Sequence, residues 1–486
     1  MINNNVGGNY NGVNGEWPWS QLNNFPAQAE DNSVIVEEGG DVKGTIYGAR
    51  SFASSFGQTT TTARNTVIIR GTVGEYVVAG DGYNRSGTIT GSDNRVVVEG
   101  NGVVAAQVVG GGPYTAFGPA TATGNSATVR DAGKVGTDVY GGTASSRNNT
   151  VLSMNNTAII QDNGDVGGSV YGGHSNISES GSTTATASDN GVVLTDDAIL
   201  GFDVFGGYAQ NFSSEARAMD NTVTVADRVA VGGNVYGGHA WSEGGNRTVT
   251  ASGNAIAIGD DARIDGDVYG GYARSASGDA AAMDNAVTVT DRVAVGGGVY
   301  GGYAWSNSGA ATASQYAVTI GDSVSVGGDV AGSYVRSDSG GASSTGNTVL
   351  IRSMDNAGRV GGFVAGGHAV SDSGTASSVG HTVTIGGQSK VDGNVYGGYA
   401  QAAAGIATAT GNAVSLSGTP AFGGASGLYG GAGEGGAGSD FFTGNTLGCA
   451  GLQRERGGVD TELRTVQFHL LRIPCQDRRS GAGRDQ

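Results

Sequence analysis

Three of the five histidines, His174, His239 and His368, sit in one short context, directly after a Gly-Gly pair. Recurring imidazoles raise the question of a metal. Zinc ligands must all lie about 2 Å from a single ion. The nearest of these histidines are two repeats apart, roughly 10 Å if repeats stack at strand spacing. Tyr208, Tyr272, Tyr303, Tyr334 and Tyr399 fill the same slot in other repeats, so it reads as a stacking position. Calcium is a second candidate. Gly435-Gly436-Ala437-Gly438-Ser439-Asp440-Phe441-Phe442 fits the nonapeptide of calcium-binding β-rolls, but such sites share each ion between tandem copies and this copy stands alone. Gly296-Gly297-Gly298-Val299-Tyr300-Gly301 fits GxGxxG, yet no helix is expected after it to hold a dinucleotide phosphate.

An enzyme acting on glycans needs a non-repeating cluster of carboxylates or basic groups. The repeat is most irregular around residues 148–165 and 344–360, and the second stretch carries Arg352, Asp355 and Arg359. A loop insertion accounts for them. The expectation is therefore no catalytic, cofactor-binding or metal residue. A surface stripe is the better candidate. Trp241 and Trp305 share one slot two repeats apart, with Arg274 between them and Arg336 one repeat beyond. Tryptophan faces and guanidinium groups are suited to contact sugars or protein partners.

These residues must be positioned by a repeating element. A motif reading Val-Tyr-Gly-Gly opens at Ile46, Val108, Val139, Val170, Val204, Val235, Val268, Val299, Val330, Val364, Val395 and Leu428, with a degraded copy placed at Val78. An asparagine column runs through Asn32, Asn65, Asn94, Asn125, Asn156, Asn190, Asn221, Asn254, Asn285, Asn347, Asn412 and Asn445, with Tyr316 and His381 in two equivalent slots. Its period, (445 − 32)/13, is about 32 residues. Each repeat holds four runs. One alternates after the asparagine, as in Thr222-Val223-Thr224-Val225. One resembles Val229-Ala230-Val231, one carries the motif, and one is rich in small residues, as in Thr248-Val249-Thr250-Ala251-Ser252. Period-2 alternation between Gly, Asp and Ser corners indicates strands. The predicted fold is all-β: a parallel β-solenoid of about thirteen repeats of ~32 residues, with Gly-rich corners. Identical residues then stack into an Asn ladder and a Tyr ladder through Tyr140, Tyr171, Phe205, Tyr236, Tyr269 and Tyr300. The pattern leaves open whether a repeat is one coil or two.

Three regions follow: a partial repeat or cap over residues 1–31, the array over 32–446, and a tail over 447–486. The tail holds 7 of the 26 basic residues, all Arg, and both cysteines, Cys449 and Cys475. It is expected to be out of frame or otherwise outside the array, and the true start to lie upstream of Met1. The net charge of −17 argues against nucleic-acid binding. No run of 18 apolar residues forms a transmembrane helix, and the N-terminal residues do not form a signal peptide.

The unit Gly233-Asn234-Val235-Tyr236-Gly237-Gly238-His239-Ala240, its Ser/Gly/Ala/Thr stretch and the following Asn-x-Val-Thr-Val resemble passenger repeats of bacterial autotransporter proteins. Gly427-Leu428-Tyr429-Gly430-Gly431, leading to Phe442-Thr443-Gly444-Asn445-Thr446-Leu447, is similar to the end of such an array. The resemblance spans roughly residues 30–447. It implies an exported, non-enzymatic protein displayed at the cell surface or outer membrane, or released, with a C-terminal translocator barrel in the intact protein. Adhesion or aggregation by multivalent display is the implied role, with host glycans, host proteins or a second copy as partners. Alternative readings are a glycan-cleaving β-helix enzyme and a passive spacer. A third is a trimeric autotransporter head, because Gly253-Asn254-Ala255-Ile256-Ala257-Ile258-Gly259-Asp260 is similar to its shorter repeats.

Overall fold

The computed structural model describes residues 10–11, 27–53, 57–181, 183–353, 355 and 358–449. Among these residues every regular element is a strand. One coil is represented by four strands: a long strand, Val235–Ser242; a second, Val249–Ser252; a third, Ala255–Ile258; and a short one, Arg263–Ile264. The next coil begins at Val268–Ser275 and pairs in parallel with the first, Val235 opposite Val268. Repetition builds four parallel sheets of 14, 13, 14 and 13 strands. One repeat is therefore one coil, which the sequence pattern left open. The coils at either end include Tyr10–Asn11 and Thr446–Cys449. Most of the 1–31 region, and the tail from residue 450, lie outside the described residues.

The cross-section has two lobes. Val and Ile from the start of the long strand and from the third and short strands fill the larger one, for example Val235, Val223, Val225 and Val231. Alanines from the end of the long strand and from the second strand fill the smaller one, for example Ala240, Ala218 and Ala251. Each buried aliphatic side chain contributes about 1.5–3 kcal/mol, so the array is held by many small equal increments.

The Gly-Gly pair marks the seam between the lobes. Burial alternates along the long strand except there, where both glycines face inward. A Cβ on Gly238 would lie 2.4 Å from Asn254 Oδ1. The asparagine column occupies the space that the second glycine leaves, so the two columns are one device. Asn254 is fully buried. Its Nδ2 donates to Ala218 O at 3.1 Å and to Asn285 Oδ1 at 2.8 Å, while its backbone amide donates to the same oxygen at 2.9 Å. The expected Asn ladder is thus present. His381 maintains it by accepting the Asn347 amide at Nδ1, 3.1 Å. Tyr316 instead inserts a buried ring over Gly302.

The corner before each asparagine needs a left-handed residue: Asp220 has φ 54°, Gly253 67°, Asp284 54° and Gln315 62°. Asp and Gly tolerate that region best. The corner before the long strand carries a second side-chain ladder. Asp203 Oδ1 accepts the Asn234 amide at 2.7 Å, Asn234 Oδ1 accepts the Asp267 amide at 2.8 Å, and Asp267 Oδ1 accepts the Gly298 amide at 2.6 Å. Gly233 precedes this slot because a Cβ there would lie 2.4 Å from Asp203 Oδ1.

One boundary needs correction. The degraded motif copy opens at Val77, which pairs with Ile46 and Val108; Val78 pairs with Tyr47 and Val109. The chain there lacks the Tyr-Gly-Gly that fixes the frame elsewhere, so the residue-by-residue register was hidden.

Candidate interaction surface

Each long strand turns three side chains outward, at its second, fifth and seventh positions. The second position forms the expected aromatic ladder. Ring centroids are 4.6 Å apart from Tyr140 to Tyr171, 4.7 Å from there to Phe205, and 4.8 Å on to Tyr236. The Tyr269 hydroxyl donates to Asp267 Oδ2 at 2.8 Å, linking this ladder to the corner ladder. Burial raises the phenol pKa along the column, for example at Tyr171 and Tyr236.

The fifth position holds the histidines. His239 lies edge-on between Tyr208 and Tyr272, at 4.9 and 4.7 Å between ring centroids. Tyr208 likewise stands between His174 and His239. Burial pushes His174 and His368 down to about 4 and His239 to about 3. Among the described residues, no three His, Cys, Asp or Glu side chains are placed to hold one ion.

The seventh position carries Trp241, Arg274, Trp305 and Arg336 in direct register, as a stripe requires. All four are half-buried. The Arg274 guanidinium lies 4.4 Å from the Trp305 ring centroid, and Arg336 donates to Asp338 and Asp372, each at 2.9 Å. Much of the recognition chemistry in this stripe is thus turned onto its own neighbours.

The same column begins with residues that the sequence reading missed. Phe52, Tyr83 and Tyr114 are in register six residues after Ile46, Val77 and Val108. Their rings stack at 4.9 and 5.7 Å. Counting from the motif would have found them, but the one-residue shift at Val78 moved Tyr83 out of the slot. Beside this stack is an open groove of about 390 Å³, lined by Phe52, Tyr83, Arg85, Ala116, Phe117 and Arg147. Phe117 is 44% exposed there.

The remaining candidates stay apart from this surface. Gly296 to Gly301 spans a corner and the start of strand Val299–Ser306. Asp355 accepts from Ser353 Oγ at 2.9 Å and from Ser323 Oγ; Arg359 pairs with Asp392; Arg352 is exposed on its strand. Asp440 Oδ1 accepts the amides of Phe442 and Thr443 at 2.9 and 3.0 Å, closing a turn. Compared with known proteins, the chain matches no family model, no curated protein and no solved structure.

Proposed function

We propose that this chain is a non-enzymatic passenger of autotransporter type, displayed at a cell surface or released from it, that adheres or aggregates through repeated weak contacts. The observation that carries this reading is the in-register repetition of outward aromatic and guanidinium side chains on one face of the rod. Contacts repeated along one scaffold gain avidity without any strong single site. The resemblance of the repeats to autotransporter passengers supplies the surface location and the expectation of a translocator barrel in the intact protein.

The test couples the full chain to beads. Clumping of the beads, or their retention on glycan- or protein-coated surfaces, is the expected outcome. A folded chain that does neither would make the rod a spacer. Release of reducing ends from a bound polysaccharide would make it an enzyme.

A further inference from the structure

We infer that the groove beside the Phe52–Tyr83–Tyr114 stack binds an acidic polysaccharide, a chain of uronate-type sugars. This rests on the surface-binding role proposed above and names a ligand class for one site within it. The small side chain of Ala116 lies between the Phe52 and Tyr83 rings of the stack and the exposed Phe117. Arg85 and Arg147 follow directly after Asn84 and Ser146, which both align with Thr115. They are two coils apart, roughly 10 Å, with Ala116 on the coil between. An elongated ligand lying along the rod would meet a guanidinium at each end and apolar surface between them.

The chemistry selects the ligand. Sugar rings present C–H groups that pack on apolar surface, here the exposed Phe117 ring and the edges of the stacked rings, and guanidinium groups pair bidentately with carboxylates. Among the described residues Arg85 makes no salt bridge. Arg147 reaches Glu179 only at 3.8 Å and donates Nε to the Tyr114 hydroxyl at 3.2 Å, which holds it beside the groove. In a chain of net charge −17, two guanidinium groups flanking one groove favour an anionic ligand. An added peptide strand is disfavoured. Peptides that extend a sheet need an unpaired strand edge, and the strands that carry Tyr83 and Tyr114, Val77–Asn84 and Val108–Thr115, are hydrogen-bonded to a coil on each side.

The experiment measures binding of the full chain to a soluble polyuronate and to a neutral glucan of similar length. The polyuronate should bind, more weakly as salt rises, and the neutral glucan at least tenfold more weakly still. Arg85→Gln and Arg147→Gln should each reduce polyuronate affinity by about tenfold. Charge-matched controls, Arg228→Gln and Arg292→Gln made singly, alter exposed arginines elsewhere, paired with Asp197 and Asp261, and should change nothing. Circular dichroism confirms that each variant folds. Equal binding of both polymers, or equal loss in the controls, would overturn the proposal. If the Arg85 and Arg147 variants still drive bead clumping while polyuronate binding is lost, the display role stands and this site serves it only in part. If clumping fails while polyuronate binding persists, the groove stands and the wider role falls.

Discussion

Asn254 does two things in one buried position. Its amide closes the hydrogen-bond ladder, and its bulk fills the space above Gly238. A buried amide that loses its partner costs about 1–3 kcal/mol, which is the expected cost of replacing Asn254 with a residue that cannot bond there. His381 shows what does satisfy the position. Its Nδ1 accepts the Asn347 amide while Nε2 lies 3.1 Å from Ser344 Oγ. Accepting at Nδ1 requires the neutral ring, and burial holds its pKa down to about 4. The unfolded chain titrates this group near 6.5. Below pH 6.5 the unfolded state therefore takes up a proton that the folded state refuses. The stability from His381 is complete above pH 6.5 and is lost as the pH falls toward about 4. At pH 4.5 the loss is about 2–3 kcal/mol for this residue alone. His381→Asn restores the column's usual side chain and removes that proton. Urea unfolding at pH 7 and pH 4.5 should show the variant losing less stability on acidification than the parent. An identical pH dependence in both proteins would show that His381 is not protonated on unfolding.

The strands were largely legible from alternation alone. The four runs of one repeat appear as Thr222–Val225, Ala230–Val231, Val235–Ser242 and Val249–Ser252. The corners were less legible, for a physical reason. The slot before the long strand varies among Asp138, Ser169, Asp203, Asn234, Asp267, Gly298 and Phe363, and only some of these supply a side-chain acceptor, so no single residue type marks it. The groove residues were missed because their register depends on a copy without Gly-Gly, whereas Trp241, Arg274 and Trp305 lie in copies that have it. The corner ladder makes a distinct prediction. Asp267 Oδ1 accepts the Gly298 amide, and Oδ2 accepts the Tyr269 hydroxyl. Asp267→Ala removes both bonds and should destabilise the array by about 1–3 kcal/mol. It should also accelerate hydrogen exchange at Gly298. Asp267→Asn should cost far less, because Asn394 fills the same slot and accepts the Gly427 amide at 2.8 Å. Equal losses from Ala and Asn would mean that charge rather than hydrogen bonding matters at this corner.

At the scale of the molecule, each coil touches chiefly its two neighbours, so stability is close to a sum of coil and interface terms. Deleting residues 235–267 tests this. Asn234 would then run directly into Val268, and that strand would pair with Val204–Asn211 in the register that Val235–Ser242 now occupies. Phe205 would stack on Tyr269, Asn221 would donate to Asn285, and Tyr208 would meet Tyr272, so every ladder would close with its own residue types. The shortened rod should fold, with a urea m-value lower by about one thirteenth, as expected when one of some thirteen coils is lost. Deleting only residues 235–250 should behave differently. It would leave the third and short strands of that coil without the long strand that precedes them, and would force the Val and Ile lobe against the Ala lobe. That chain should show lost cooperativity and faster proteolysis. If both deletions were equally disruptive, the coils would be coupled over longer distances than nearest-neighbour stacking allows. If both were harmless, the long strand and its Gly-Gly seam would not be the element that sets the register.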